Sequence, residues 1–179
     1  MHLTSKVKSG VVGLRSRDAL AEIWRLVGGM QDRGVQVLMV QVQGDHIHLA
    51  VIPSGRQALH NATRYFFGLL ARFLNKLTGR QGPVFTDRFA SRIAKAANDI
   101  WNVFGYIARN PRDARMSVCV TSWDRGFAVN AKAIVAHPFL QRIFGTDVRR
   151  FSDLLWRMRF ERLPYAPLRS ERQLRLALT

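Results

Sequence analysis

The chain has 179 residues, 47% of them hydrophobic, which is enough for one buried core and argues against a disordered polymer. Lysine and arginine number 28 against 12 acidic residues, a formal net charge of +16, so polyanions are the favoured partners and nucleic acid comes first among them. No apolar stretch reaches membrane-spanning length, "MHLTSKVKSGVV" lacks the charged-then-apolar order of an export signal, and the single Cys119 excludes an intramolecular disulfide or a cysteine-rich zinc site, which fits a reducing cytoplasm.

In chain order, "HLTSKVK" alternates like a short strand. Ser16 then stands as the cap of an amphipathic helix in which Leu20, Ile23, Trp24 and Val27 recur at helical spacing, ending near Gly34. "VQVLMVQV" alternates as a second strand, Gly44-Asp45 makes a tight turn, and "HIHLAVI" returns antiparallel to it. Residues Arg56 to Leu77 carry the stripe Phe66, Leu69, Leu70, Phe73 and Leu77 of a long helix, which the glycines and proline of "TGRQGPVF" interrupt. "RFASRIA" reads as a further strand, and Asn98 to Arg109 as a second long helix stopped by Pro111. The order β-α-β-β-α-β-α predicts an α+β fold, an antiparallel sheet with helices packed on it. Residues 1–116 form the expected domain, and 117–179 a basic, mostly helical extension in which Phe151, Leu154 and Leu155 mark a helical pattern.

Charge concentrates in two places. Residues 56–95 hold eight cations against Asp87, a net of +7, and residues 141–179 carry a net of +5. Arg64, Arg72, Lys76, Arg80, Arg88, Arg92 and Lys95 are therefore the candidate contacts to a phosphate backbone, although for any one of them alone a solvated helix face is the favoured reading.

The stretch "QGDHIHLAVIP" places His46 and His48 on one strand face and Ile47, Leu49 and Val51 on the other. Such a pair can grip a metal or be two polar residues on a half-buried sheet. In the helix "NDIWNVFGYIARNP", Ile100, Val103, Phe104 and Ile107 follow the spacing of a core face, while Tyr106 and Asn110 lie four apart on its flank. That flank would sit at the edge of a helix-sheet contact.

"DHIHLAVI", "RQGPVFTDRFASR" and "YIARNPRDARM", taken together, resemble the single-tyrosine HUH transposases of IS200 type, and within them the REP-associated tyrosine transposases, over about residues 1–116. HUH denotes histidine, a bulky hydrophobic residue and histidine, here His46, Ile47 and His48. The resemblance implies that His46 and His48 are ligands of Mg²⁺ or Mn²⁺, with Asn110 in the place of a third, helix-borne ligand. It implies that Tyr106 is the nucleophile that cuts single-stranded DNA beside a hairpin, leaving a 5′-phosphotyrosine and a free 3′-hydroxyl that can reverse the reaction. Single-stranded DNA with hairpins is then the partner, a bacterial cytoplasm the location, and no membrane is involved; monomer and dimer stay equally open. Asp45 departs from the asparagine or glutamate common before the first histidine, and "TSWDRGF" keeps only Trp123 of a Trp-Ser-Ser-Tyr run.

Other readings stand beside this one. A histidine-triad hydrolase would carry a third histidine where Ala50 stands, and a two-histidine phosphoesterase would need a second motif around His60 or His137. The stronger competitor is a domesticated DNA-binding or regulatory protein that keeps the fold and charge but has lost cleavage.

Overall fold

The computed structural model describes residues 1–11, 13–113 and 127–160. The expected boundary at residue 116, Cys119, Trp123 and the chain after residue 160 lie outside the described residues. The elements follow the expected order: β1 (His2–Lys6), α1 (Arg17–Gln31), β2 (Val35–Val42), β3 (His46–Pro53), α2 (Arg56–Thr78), β4 (Ala90–Arg92) and α3 (Ala97–Asp113). A short strand β5 (Phe127–Val129) and helices α4 (Ala131–Ala136), α5 (Pro138–Phe144) and α6 (Val148–Phe160) complete them. The chain is thus an α+β protein with a C-terminal helical extension. Among the described residues the sheet has five strands in the order β4-β1-β3-β2-β5, and β3 pairs antiparallel with both β1 and β2.

Two compact units share the chain: residues 1–93 with 119–128, and residues 94–118 with 129–179. In the first, one sheet face buries Leu3, Val7, Ile47, Leu49 and Val51 with Val35, Val37, Val40 and Val42. Helices α1 and α2 supply the opposing layer through Ile23, Leu26, Met30, Phe66, Leu70 and Leu74, all fully buried. Removing this apolar surface from water is what holds the layers together.

The strand "VQVLMVQV" cannot keep one face inward by simple alternation, because its valines fall at 35, 37, 40 and 42. A β-bulge resolves the conflict: Val37 opposes Val51 and Met39 opposes Ala50, so Leu38 is extra. Val40 and Val42 thereby return to the core, opposite Leu49 and Ile47, and Gln41 turns to the other face, opposite His48. Were Leu38 paired in regular alternation, without the bulge, the second half of the strand would present Gln41 to the core.

Helix α1 begins as expected, with Ser16 Oγ accepting from Ala19 N at 3.3 Å. Its buried stripe is Leu20, Ile23, Leu26 and Met30, with Trp24 and Val27 only flanking it. In α2 the fully inward positions are Phe66, Leu70 and Leu74; Leu77, expected in the stripe, is exposed in the last turn before a left-handed cap at Gly79. Pro111 does not stop α3, whose backbone continues to Asp113. Proline's φ is compatible with a helix, and its missing N–H removes one hydrogen bond without forbidding another turn.

In the second unit α3 packs with α6, and Trp101, Phe104, Phe144 and Phe151 form an aromatic cluster. Phe144 lies at its centre, with ring centroids 4.8 Å from Phe104 and 5.3 Å from Phe151. Asp147 caps α6, its Oδ1 accepting from Arg149 N at 2.7 Å and Arg150 N at 3.0 Å.

Candidate functional site

The sheet face opposite the apolar core is where the polar chemistry collects. His46 pairs with Lys6 and His48 with Thr4 on β1, while Gln41 stands opposite His48 on β2. Side chains in register share a face, and so do alternate residues of one strand. His2, Thr4, Lys6, Gln41, His46 and His48 therefore share one face, with Arg92 added by its pairing with His2.

The hairpin turn presents the first histidine. Gln43 N donates to His46 O at 2.8 Å, closing a loop of Gly44 and Asp45, and Val7 N donates to Asp45 O at 2.8 Å. Asp45 Oδ1 lies 2.6 Å from His46 Nδ1, and Lys6 Nζ lies 3.6 Å from Asp45 Oδ2. A carboxylate only accepts, so His46 Nδ1 carries the proton and Nε2 is the nitrogen on which a cation would be held. Burial alone would raise the Asp45 carboxyl, but the hydrogen bond and charge of His46, with Lys6, hold it below its ordinary value.

His48 is buried, and its ring lies parallel to that of His46 within 4°, centroids 6.1 Å apart. Its Nδ1 lies 3.2 Å from Thr4 Oγ1 and 3.3 Å from His2 Nε2, and the His2 ring stacks on it at 5.4 Å. Burial pushes His48 down to about 4, helped by the charges of His2 and His46. Burial likewise lowers His2 to about 4, together with the amino terminus and Arg92. Both rings are neutral near pH 7, the state in which imidazole can bind a metal. Gln41 is fully buried; its Nε2 donates to Val42 O at 3.1 Å, and its Oε1 has no hydrogen-bond partner among the described residues.

Two imidazoles with their Nδ1 edges tied to the protein suit a divalent cation that takes the rest of its ligands from oxygen. Among the described residues no group of three or more His, Cys, Asp or Glu forms a metal cage, so a cation at His46 and His48 would need an amide, water or substrate oxygen beside them.

Tyr106 and Asn110 belong to the second unit, on α3. Tyr106 is 47% exposed, whereas Asn110 is buried, its Nδ2 without a hydrogen-bond partner among the described residues. At 100° per residue a step of four advances about 40° round the helix. That brings Asn110 to about 20° from Val103, at the edge of the buried arc, and leaves Tyr106 about 60° from it.

Of the expected phosphate contacts, Arg64, Arg72 and Lys76 are exposed on α2 within an arc of about 120°. Arg80 is half-buried after the helix, with Nη1 lacking a hydrogen-bond partner among the described residues. Arg88 is exposed between Phe85 and Phe89, whose rings pack on Phe67 at 5.3 and 5.5 Å and so pin the loop to α2. The same loop is tied to β1 by Lys8 N donating to Val84 O and Thr86 N donating to Lys6 O, at 2.8 and 2.9 Å. Arg92 stands exposed at the sheet edge, and Lys95 is exposed ahead of α3, where its N–H donates to Asp99.

His2, Thr4, Lys6 and Gln41 were not legible as members of the site. The alternation of polar residues at 2, 4 and 6 was visible, but only the pairing of β1 with β3 gives it meaning.

Among the described residues no helix is long and apolar enough to cross a membrane. Comparison with protein-family models and with curated proteins gives no match. Among solved structures the chain is similar to a REP-associated tyrosine transposase bound to a REP hairpin, at 16% identity and a TM-score of 0.45. The match covers 63% of this chain and 66% of the other, less than two thirds of that protein's length.

Proposed function

We propose that the protein is a metal-dependent DNA nuclease and strand transferase of the single-tyrosine HUH kind, acting on single-stranded DNA beside a hairpin. Residues 1–116 supply the nuclease domain in this reading, and 117–179 a basic extension. The observation that carries the proposal is the near-parallel pair His46 and His48 on one sheet face, with Asp45 holding the proton of His46 on Nδ1. A metal-ligating histidine ordinarily gives its other ring N–H to a carboxylate in this way.

In this reading His46 and His48 would hold Mg²⁺ or Mn²⁺, with the Asn110 amide oxygen as the expected third ligand. When bound, such an ion supplies Lewis-acid stabilisation of the charge that develops on a scissile phosphate. Tyr106, exposed on α3, is the nucleophile: its oxygen forms a bond to phosphorus as the bond to the 3′ oxygen breaks, and the leaving oxygen takes up a proton to become a 3′-hydroxyl. One phosphodiester replaces another, so attack by a 3′-hydroxyl on the tyrosyl ester rejoins the strand without ATP. Arg64, Arg72, Lys76, Arg80, Arg88, Arg92 and Lys95 contact the backbone and set its position, with base contacts needed for sequence choice. The protein works in the bacterial cytoplasm.

The test separates cleavage from binding. His46→Ala and His48→Ala each abolish cleavage of a labelled hairpin oligonucleotide and leave its affinity within about threefold, since phosphate contacts dominate affinity. EDTA does the same to the wild-type protein. Binding and cleavage lost together in both variants would assign the pair to the architecture of the sheet. Binding without cleavage in the wild type, under either metal, would favour a DNA-binding protein that has lost cleavage.

A further inference from the structure

We infer that Thr4 and His2 are positioning residues that set the tautomer of His48, keeping its proton on Nδ1 and its Nε2 lone pair for a divalent cation. The inference rests on the proposed metal-binding role of the histidine pair. Three polar atoms meet behind His48: Thr4 Oγ1 lies 3.2 Å from His48 Nδ1 and 3.2 Å from His2 Nε2, and the two nitrogens are 3.3 Å apart. A hydroxyl has one hydrogen, so Thr4 can donate to only one of the two imidazoles, and a relay through it makes it accept from the other.

The two possible directions have opposite consequences for the site. If Thr4 donates to His48 Nδ1, the His48 proton resides on Nε2 and no lone pair faces a cation. If Thr4 donates to His2 Nε2, its oxygen accepts from His48 Nδ1–H, and Nε2 keeps its lone pair. In the second direction His2 Nε2 is the acceptor, so the relay requires His2 to carry its own proton on Nδ1. Its position follows from the fold, since Thr4 is in register with His48 and His2 lies two residues before Thr4 on the same face. The second direction gives His48 the same tautomer that the Asp45 carboxylate imposes on His46, so that two near-parallel rings carry their protons on the same nitrogen. The relay does for the buried histidine what a carboxylate does for the half-buried one.

The experiment uses the full chain labelled with ¹⁵N-histidine. Long-range ¹H–¹⁵N spectra of the metal-free protein read the tautomer, and Mn²⁺ titration followed by electron paramagnetic resonance reads affinity, for wild type, Thr4→Val, His2→Phe and His2→Gln. Wild-type His48 is expected in the Nδ1–H form. Thr4→Val and His2→Phe shift it toward Nε2–H and weaken Mn²⁺ binding by about 10–100-fold, the usual effect of removing a hydrogen-bond partner of a metal-bound histidine. His2→Gln, whose Oε1 can accept from Thr4, restores both readouts. An Nε2–H tautomer in wild type, or an unchanged tautomer in Thr4→Val and His2→Phe, overturns the inference. Absence of Mn²⁺ binding that His46→Ala and His48→Ala remove would instead defeat the metal reading, while the tautomer spectra still judge the relay.

Discussion

Because a carboxylate can only accept, the 2.6 Å contact from Asp45 does more than hold His46 in place: it selects the nitrogen that faces outward. Asp45→Ala frees the ring to adopt either tautomer, and Mn²⁺ affinity, measured by titration, is expected to fall by about 10–100-fold. Asp45→Asn keeps the shape but offers an amide that can also donate, so it should show an intermediate loss. The histidine pair itself was readable from the sequence, since period-two alternation puts His46 and His48 together whatever the neighbouring strands are. Their companions were not. Thr4 and His2 reach His48 only because β1 lies beside β3, and sequence spacing carries no information on which strands are neighbours. Gln41 was hidden for a different reason: it sits on this face because of the bulge at Leu38, a local insertion that simple alternation does not anticipate.

Helix boundaries were legible where a side chain punctuates the backbone. Ser16 accepts from Ala19 N, and Ser16→Ala should lower stability by about 1 kcal/mol in urea unfolding. Asp147 serves α6 in the same way, and its two backbone hydrogen bonds, from Arg150 and Arg149, hold its carboxyl below the ordinary value. A group with a depressed folded-state pKa stabilises above its unfolded pKa and loses that contribution as pH falls through the folded one. Asp147→Ala should therefore lower the urea midpoint at pH 7, and the gap to wild type should close as pH drops below the carboxylate range. The end of α3 was misjudged because Pro111 is a weaker stop than its reputation: one absent donor does not outweigh the bonds on either side. The stripe of α2 was placed correctly round the helix but carried too far along it, as the exposure of Leu77 in the last turn shows. Phe66 lies at the centre of the true stripe, fully buried, and Phe66→Ala is expected to cost about 3–5 kcal/mol in the same assay.

In the proposed reading, the net charge of +16 frames the behaviour of the whole chain toward DNA. Exposed Arg64, Arg72 and Lys76 offer three cations along α2, and each phosphate contact on a single strand contributes about 0.7 to the slope of log affinity against log salt. Replacing all three by glutamine should reduce that slope by about 2 and weaken hairpin binding at low salt most. An unchanged slope would move the DNA path away from α2. The α+β class, the order of the first seven elements and the helical C-terminal part could all be read from periodicity, because they depend on local pattern. The division into two compact units could not, since it depends on which helices share a core, here Trp101 and Phe104 of α3 with Phe144 and Phe151. The central claim, that Tyr106 attacks DNA, is tested most directly by incubating wild type and Tyr106→Phe with 5′- and 3′-labelled hairpin oligonucleotides, with Mg²⁺, Mn²⁺ or EDTA, and resolving the products under denaturing conditions. A metal-dependent protein band carrying only the 3′-side fragment, present in wild type and absent from a Tyr106→Phe variant that still binds the hairpin, is the predicted result. An adduct that persists in Tyr106→Phe, or strand cleavage with no adduct, would contradict it.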